Sequence, residues 1–441
     1  MLANLARRFS NIIQRYLPDA FVIAVLITLL VLIIGILMNP SEPIQIFQAW
    51  GDGFWTYLAF TMQMVVLLMT GMTLAAVPFI ERALSKVAKL ANAPWKAYLI
   101  TFLVSAFTYY INWGLAIVVG AIVAKEIGKR NENAHFPLLV ASAYSATVLF
   151  PGGLSSSIGL TIATEDHFLQ DVIGVIPTSE TIFHPANLII YFALVISIAV
   201  FLILMTPKSN IIKYEVKQPE EKKVEEEVSA TSETTVPAVK LERTPTLGMI
   251  IGLIGIIYTV IYFTGGRDLD LNIINIFFLS LGLFFHRSLG AFANAFKDVA
   301  KATTPIVLQF PFYAGIIAIL TSSGLGQMII DGMASIATAN TFNVFTYWAS
   351  GFINILAPSG GGQWALQGPL QMPAAIELGV DPAKAAMAVA WGDGWTNLIQ
   401  PFWALPILSV VGLHIRDIMG YCILLSFIVG IVTSVLIFFL F

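Results

Sequence analysis

Three stretches of this sequence set polar or ionisable groups inside otherwise apolar runs. The first, Pro358-Ser359-Gly360-Gly361-Gly362-Gln363-Trp364, carries three consecutive glycines. Glycine weakens a helix and lets a ligand approach the backbone. A helix restarting at Gln363 would offer unsatisfied N–H groups and the positive end of its dipole, a combination that binds a carboxylate. The second stretch is Ile111-Asn112-Trp113-Gly114. Asn112 can donate and accept, Trp113 supplies a stacking face and one N–H, and Gly114 opens the turn. Taken alone, an Asn in a membrane helix is as well suited to interhelical hydrogen bonding. The third, Trp391-Gly392-Asp393-Gly394-Trp395-Thr396-Asn397, runs on to Gln400-Pro401-Phe402-Trp403. An acid such as Asp393 within an apolar run is a functional candidate by default. It could hold a sodium ion with backbone carbonyls, carry a proton, or cap a half-helix beginning near Trp395. Ser155, Ser156 and Ser157 follow Pro151-Gly152-Gly153, and their hydroxyls could cap a half-helix or meet a ligand.

The candidate anion site is therefore Asn112, Trp113, Gly114, Ser155, Ser156, Ser157, Ser359, Gly360, Gly361, Gly362, Gln363, Trp364, Trp395, Asn397 and Gln400, with Asp393 as the ion-coupling group. No Lys or Arg occurs between Arg130 and Lys208 or between Lys301 and Lys384. A multiply charged ligand is usually gripped by Arg or Lys forks. Their absence favours one carboxylate on a short, largely apolar body, with Trp364, Trp395, Trp403, Phe310 and Phe312 as walls. The histidines (His135, His167, His184, His286, His414) lack metal-ligand spacing, and the single cysteine, Cys422, precludes an internal disulfide. No nucleophile–base pair stands out, so an enzyme is not expected. A metal site, a covalent cofactor and a nucleic-acid partner are not expected either. The cation that accompanies the anion, H+ or Na+, stays open.

Those residues need a membrane scaffold to position them. The chain is 57% hydrophobic, 11% charged and has a mean hydropathy of +0.83. A soluble domain carries about 25% charged residues. Apolar runs of about 20 residues match the thickness of a bilayer core, and the backbone there must form helices. The expected fold is an all-α polytopic membrane protein. Its first repeat, 1–207, holds spans 20–38 and 54–78, a re-entrant hairpin at 97–127, a broken helix at 136–165 and a span at 187–206. A flexible cytoplasmic linker follows at 208–244, rich in Glu, Lys, Ser and Thr. The second repeat, 245–441, opens with an extra span, then spans 271–286 and 303–320, a hairpin at 342–376, a broken helix at 383–413 and a span at 419–441. Gln63 with Gly71 is echoed by Gln309 with Gly315, and Pro151 by Pro401. The extra span inverts the second half. Inverted repeats with broken helices are typical of secondary transporters, whose sites lie near the midplane. Arg7, Arg8 and Arg15 place the N-terminus in the cytoplasm, ahead of a retained first span, and the C-terminus on the opposite face. Trp50-Gly51-Asp52-Gly53 reads as a helix-start turn, with Trp50 and Trp55 as interfacial anchors.

Further motifs carry a family resemblance. They are Leu17-Pro18-Asp19, Trp50-Gly51-Asp52-Gly53-Phe54-Trp55, Ile111-Asn112-Trp113-Gly114 and Gln309-Phe310-Pro311-Phe312-Tyr313-Ala314-Gly315. With them go Pro358-Ser359-Gly360-Gly361-Gly362, Gln400-Pro401-Phe402-Trp403-Ala404-Leu405-Pro406 and Arg416-Asp417-Ile418-Met419-Gly420-Tyr421-Cys422. At these positions the chain resembles the bacterial short-chain fatty acid transporters of the AtoE type, over nearly its whole length outside the linker. The resemblance implies uptake of acetoacetate, butyrate or acetate across the bacterial inner membrane. The family is similar to the wider ion-transporter superfamily. That likeness implies a scaffold domain, a mobile domain with two opposed hairpins, a homodimer through the scaffold and an elevator-like motion. Carried over, it puts the substrate near Asn112, Ser359 to Gly362, Ser155 to Ser157 and Asn397. The sodium carriers of the superfamily often show Ser-Asn-Thr at the tips, whereas here the tips read Asn112-Trp113-Gly114 and Ser359-Gly360-Gly361. The same constellation also suits a passive anion channel, a di- or tricarboxylate carrier, a non-transporting receptor or a hydrolase using Asp393 and water.

Overall fold

The computed structural model describes residues 20–207, 209–214, 237–356 and 359–441, and every regular element among them is helical. Among the described residues, seven helical stretches are long and apolar enough to cross a membrane. The N-terminal arginines, Leu17-Pro18-Asp19, Pro358 and most of the linker lie outside the described residues.

The first half contains α1 (Ala20–Met38), α2 (Pro43–Gly53), α3 (Leu58–Ala75), α4 (Pro78–Ala88), α5 (Pro94–Ile111) and α6 (Trp113–Arg130). It continues with α7 (Phe136–Ser145), a 3-10 turn (Ala146–Gly152), α8 (Ser157–Ile162) and α9 (Pro185–Leu204). The second half contains α10 (Pro245–Thr264), α11 (Leu271–His286), α12 (Leu289–Val299), α13 (Thr304–Ser323) and α14 (Leu325–Ile336). After these come α15 (Phe342–Leu356), α16 (Gly360–Glu377), α17 (Pro382–Thr396), α18 (Pro401–Val411) and α19 (Ile415–Leu440). Pro43, Pro78, Pro94, Pro185, Pro245, Pro382 and Pro401 each open a helix. Proline costs nothing there, because the first N–H of a helix has no partner within it.

Helices from the two halves pair with each other. α1 runs parallel to α13: a Cβ on Gly35 would meet Ile319 at 3.2 Å, and Asn39 Nδ2 donates to the Ser323 carbonyl at 3.1 Å. α3 runs parallel to α11, joined by Gln63 Nε2 to Asn272 Oδ1 at 2.9 Å and by His286 Nε2 with the Thr73 carbonyl at 2.9 Å. α5 and α6 fold back on each other as a hairpin, which brings Gly120 against Ser105. α15 and α16 form a second hairpin. Along it Gln363 Nε2 donates to the Ser350 carbonyl (2.9 Å) and to Gln367 Oε1 (2.9 Å). Gln367 Nε2 donates to Gln371 Oε1 (3.2 Å), and Gln371 Nε2 to Thr346 Oγ1 (2.6 Å). Interhelical hydrogen bonds in membranes contribute only about 0.6 kcal/mol each. The ladder therefore sets the register of the two arms more than it holds them together.

The structure differs from the sequence expectation in four places. The span expected at 54–78 is shorter at both ends. Residues 54–57 form turns, and the helix proper is Leu58–Ala75. Trp50-Gly51-Asp52-Gly53 ends a helix rather than starting one, and Trp50 packs on Gly315 and Phe312 inside the protein, while Trp55 is 62% exposed. The glycine triplet is not a loop before Gln363, because α16 begins at Gly360 with Ser359 as its cap. Finally, α17 runs unbroken through Asp393, and the break falls at Asn397–Gln400. Gly392 and Gly394 serve packing there: a Cβ would lie 2.3 Å from the Tyr347 carbonyl or 2.7 Å from Pro151. At the edges of the 208–244 segment, Ile212 hydrogen-bonds His135 and Phe136, and Pro237–Arg243 is helical.

Candidate ligand-binding site

In each hairpin an extended residue caps the second helix. Asn112 has φ −159° and ψ 123°, and its Oδ1 accepts from Leu115 N at 2.9 Å. Ser359 has φ −159° and ψ 113°, and its Oγ accepts from Gly362 N at 3.3 Å. A short polar side chain suits this role because it replaces an acceptor that the first turn lacks. Asn112 also ends α5, and the two caps set the starts of α6 and α16 beside the same interior space.

Tip one is wedged against α3. Asn112 Nδ2 donates to the Leu67 carbonyl at 3.3 Å. A Cβ on Gly71 would fall 1.9 Å from Asn112 Oδ1, so only glycine leaves room for the cap. The break after Gly152 docks on the same tip. Trp113 N donates to Ser155 Oγ at 3.0 Å, and Leu154 N donates to the Tyr110 carbonyl at 2.6 Å. Tip two is held by the break after α17. Asn354 Nδ2 donates to the Asp393 carbonyl (2.8 Å), Thr396 Oγ1 (2.9 Å) and Asn397 Oδ1 (2.8 Å). Gln400 Nε2 donates back to the Asn354 carbonyl at 2.6 Å.

Between the tips lies a cavity with about 520 Å³ of space outside the atoms. Of the residues singled out in the sequence, Trp113, Ser157, Ser359, Gly360, Gly361 and Asn397 line it, walled by Phe310 and Trp403. Gly360 and Gly361 can line it only with backbone, and they are the first residues of α16, where N–H groups point outward. Trp113 Nε1 is buried and has no hydrogen-bond partner among the described residues. The ring of Trp113 meets that of Trp403 edge-on at 5.7 Å. No charged side chain lines this cavity. A second space shares Trp113, Ile117, Ile306, Ser359 and Trp403 with it and extends to Gln309 and the exposed Lys301.

The other singled-out residues stand behind the cavity wall. Asn112, Gly114, Ser155 and Ser156 build tip one and its neighbour. Gly114 abuts the Leu68 carbonyl, and Ser156 Oγ accepts from Gly159 N. Gly362 packs on Tyr313 and Phe310, Gln363 belongs to the hairpin ladder, Gln400 clasps Asn354, and Trp364 is fully buried. Trp395 faces away: it stacks on Tyr347 at 5.0 Å and donates to the Ser426 carbonyl at 2.7 Å. Phe312 sits with Trp50 and Phe54, outside the lining. Sequence reasoning missed Met64, Tyr109, Ile117, Thr147, Phe150 and Ile306, which complete the lining. The available signal was helical spacing. Tyr109 stands three residues before Asn112 and Ile117 four after Trp113, so each lies one turn from a tip residue. Among the described residues, no group of three or more His, Cys, Asp or Glu could hold a metal ion.

The family model for short chain fatty acid transporters matches residues 1–440. A protein of Escherichia coli K12, provisionally named a short-chain fatty acid transporter, is 38% identical over 426 residues, 96% of both chains. A protein of Haemophilus influenzae with the same provisional name is 36% identical over 438 residues, again 96% of both chains. In fold, the chain is similar to the crystal structure of the Alcanivorax borkumensis YdaH transporter, which has an unusual topology. That match has a TM-score of 0.59 and 15% identity, and covers 95% of this chain and 98% of the other. MtrF of Neisseria gonorrhoeae, from a class of antimetabolite efflux pumps, matches with a TM-score of 0.50 and 14% identity over 98% and 97% of the two chains. With a whole-length family match, two close relatives and a membrane-spanning helical fold, the chain belongs to the short chain fatty acid transporter family.

Proposed function

We propose that this protein is a secondary active transporter that carries short-chain monocarboxylates, such as acetoacetate, butyrate or acetate, across the bacterial inner membrane together with a cation. The observation that carries the proposal is the cavity between two capped hairpin tips. It offers α16's first backbone amides, Ser359 and the unpartnered Trp113 Nε1 to an anion, and apolar walls to its tail. A helix N-terminus favours negative charge, and the absence of lining cations suits one carboxylate rather than two or three.

An elevator-like motion between inverted repeats is the mechanism that fits best. Helix directions support the inversion. α3 crosses α13 in the opposite sense: Phe60 stacks on Phe310, while Met72 shares the outer space with Lys301 and Pro305. Since α1 parallels α13 and α3 parallels α11, α1 and α11 run in opposite senses, as the first spans of inverted repeats must. Packing supports a division of labour. α1 and α2 pack mainly on α13, and α10 on α11, whereas both hairpins pack on the broken helices, α9 and α19; α3 lies between the two groups, against α11 on one side and α6 of the first hairpin on the other. We assign the first set to a dimerising scaffold and the second to the moving part, with the N-terminus cytoplasmic and the C-terminus periplasmic.

The test is uptake of labelled butyrate into vesicles containing the purified protein, against protein-free vesicles, since the free acid crosses lipid unaided. A carrier preloaded with unlabelled butyrate accelerates labelled uptake. Equal rates with and without preloading would mean a channel, and binding without flux would mean a receptor. The wall residue Phe310 gives a second expectation. Each methylene buried contributes about 0.8 kcal/mol, or roughly fourfold in affinity. Phe310→Ala opens space for about two methylenes, so kcat/KM for hexanoate relative to butyrate should rise roughly tenfold. An unchanged ratio across acetate, butyrate and hexanoate would remove Phe310 from the tail pocket.

A further inference from the structure

We propose that Asp393 carries one proton with each carboxylate, and that the bound anion and the Asp393 carboxylate exclude one another across Gly360. This rests on the carboxylate transport proposed above and names its coupling ion.

Asp393 is 1% exposed, in the last turn of α17, and neither carboxylate oxygen has a hydrogen-bond partner among the described residues. An ionised carboxylate without donors in a low-dielectric interior is costly, and a structure that retains one must supply a counter-charge or a proton. Among the described residues no counter-charge pairs with it. α17 itself carries Asp381 in its cap and Lys384, nine residues or about 13 Å along the helix from Asp393. α17 packs against α15, α16, α8, α19 and the turns 146–152 and 397–399. Those elements bring Tyr347, Glu377, Arg416, Asp417, Tyr421 and Cys422, and none hydrogen-bonds or ion-pairs with Asp393. Sodium is a poorer fit than a proton. It needs several oxygens at once, and the nearby Ser350 and Thr396 hydroxyl oxygens already accept from Gln363 Nε2 and Asn354 Nδ2.

Position relative to the cavity supplies the coupling. A Cβ on Gly360 would meet Asp393 Oδ2 at 3.1 Å, Ser157 Oγ at 3.2 Å and the Phe150 ring at 3.2 Å. Gly360, Ser157 and Phe150 all line the cavity. The buried acid therefore stands one glycine behind the wall that offers amides to the ligand. Two negative charges at that separation, with little water between them, repel strongly. Anion binding then requires the proton on Asp393, and losing the proton expels the anion; the linkage is reciprocal by necessity. RCOO− and H+ move together, no substrate bond changes, and the net charge moved is zero.

The experiment uses the full chain in vesicles, with labelled butyrate, an internal pH dye, and pH and sodium gradients imposed separately. For the parent, uptake above the protein-free background should follow the pH gradient with one proton per butyrate. It should not respond to sodium. Asp393→Asn mimics the neutral acid and cannot release a proton. Its ratio of exchange to gradient-driven net uptake should rise at least tenfold over the parent. Asp393→Glu keeps a titratable group and should retain proton-driven uptake with a displaced pH profile, which a purely structural role would not produce. Sodium-driven, pH-indifferent uptake by the parent overturns the proposal, as does parental proton-driven uptake in Asp393→Asn. Absence of any carrier-dependent flux in the parent would instead overturn carboxylate transport itself.

Discussion

Gly71→Ala should reduce butyrate uptake by about a hundredfold while leaving the protein inserted in the membrane. The added methyl would sit 1.9 Å from Asn112 Oδ1 and 2.6 Å from its Cγ, so the Asn112 side chain must leave. It would then lose its cap on Leu115 N and its tie to the Leu67 carbonyl. A lost cap costs about 0.5–2 kcal/mol and overpacking a further 1–3 kcal/mol. A total near 3 kcal/mol is about a hundredfold in the population of the working tip. The effect should be partly reversible. Asn112→Ser keeps a capping oxygen on a shorter side chain, so Gly71→Ala/Asn112→Ser should transport better than Gly71→Ala alone. Uptake rates normalised to membrane-inserted protein measure both. Parental transport by Gly71→Ala, or no rescue by the second change, would show that the tip does not depend on this wedge.

Ser359→Ala should lower kcat/KM by about a hundredfold, and by the same factor for acetate as for butyrate. Ser359 has two tasks in the proposed mechanism. Its Oγ caps Gly362 N, and its hydroxyl lines the cavity where the carboxylate would lie. Losing the cap costs about 0.5–2 kcal/mol and losing a hydrogen bond to a charged group about 1.5–3 kcal/mol. The serine meets the head of the substrate, so tail length should not matter, whereas Phe310→Ala should act on the tail alone. Ser359→Thr keeps the hydroxyl and should retain most activity. If Ser359→Ala discriminates between acetate and butyrate as strongly as Phe310→Ala does, the head and tail assignments are wrong.

The site was legible in the sequence where a residue had few reasons to be where it is. A polar residue or a glycine run inside a 20-residue apolar segment must be satisfied by something, and Asn112 and Ser359 proved to be the caps of α6 and α16. Glycine was less decisive. The triplet at 360–362 begins a helix, and Gly392 and Gly394 sit inside one, because glycine permits close packing as readily as it permits a turn. Phase was not legible either. Trp113 and Trp395 are the same residue type beside similar breaks, yet one lines the cavity and the other bonds the Ser426 carbonyl. Met64, Tyr109, Thr147 and Phe150 are ordinary residues for a membrane helix, so nothing in their type distinguished them.

The sequence by itself determined the class of fold and the helix stops near Asn112 and Pro151, but not the one that follows α17. Lipid offers no partners to the backbone, so long apolar runs can only be helices, and interruptions in them need a protein environment. Tertiary structure decided which of the polar groups share one cavity. Tyr109, Phe150, Phe310 and Ser359 meet there from four separate segments, through the rotation and crossing of helices that α3 and α13 brace. Side-chain direction depends on helical phase and on what packs opposite, and both belong to the assembled bundle. The same assembly left Asp393 behind Gly360 without a partner, a relation between two residues 33 positions apart that no local pattern encodes.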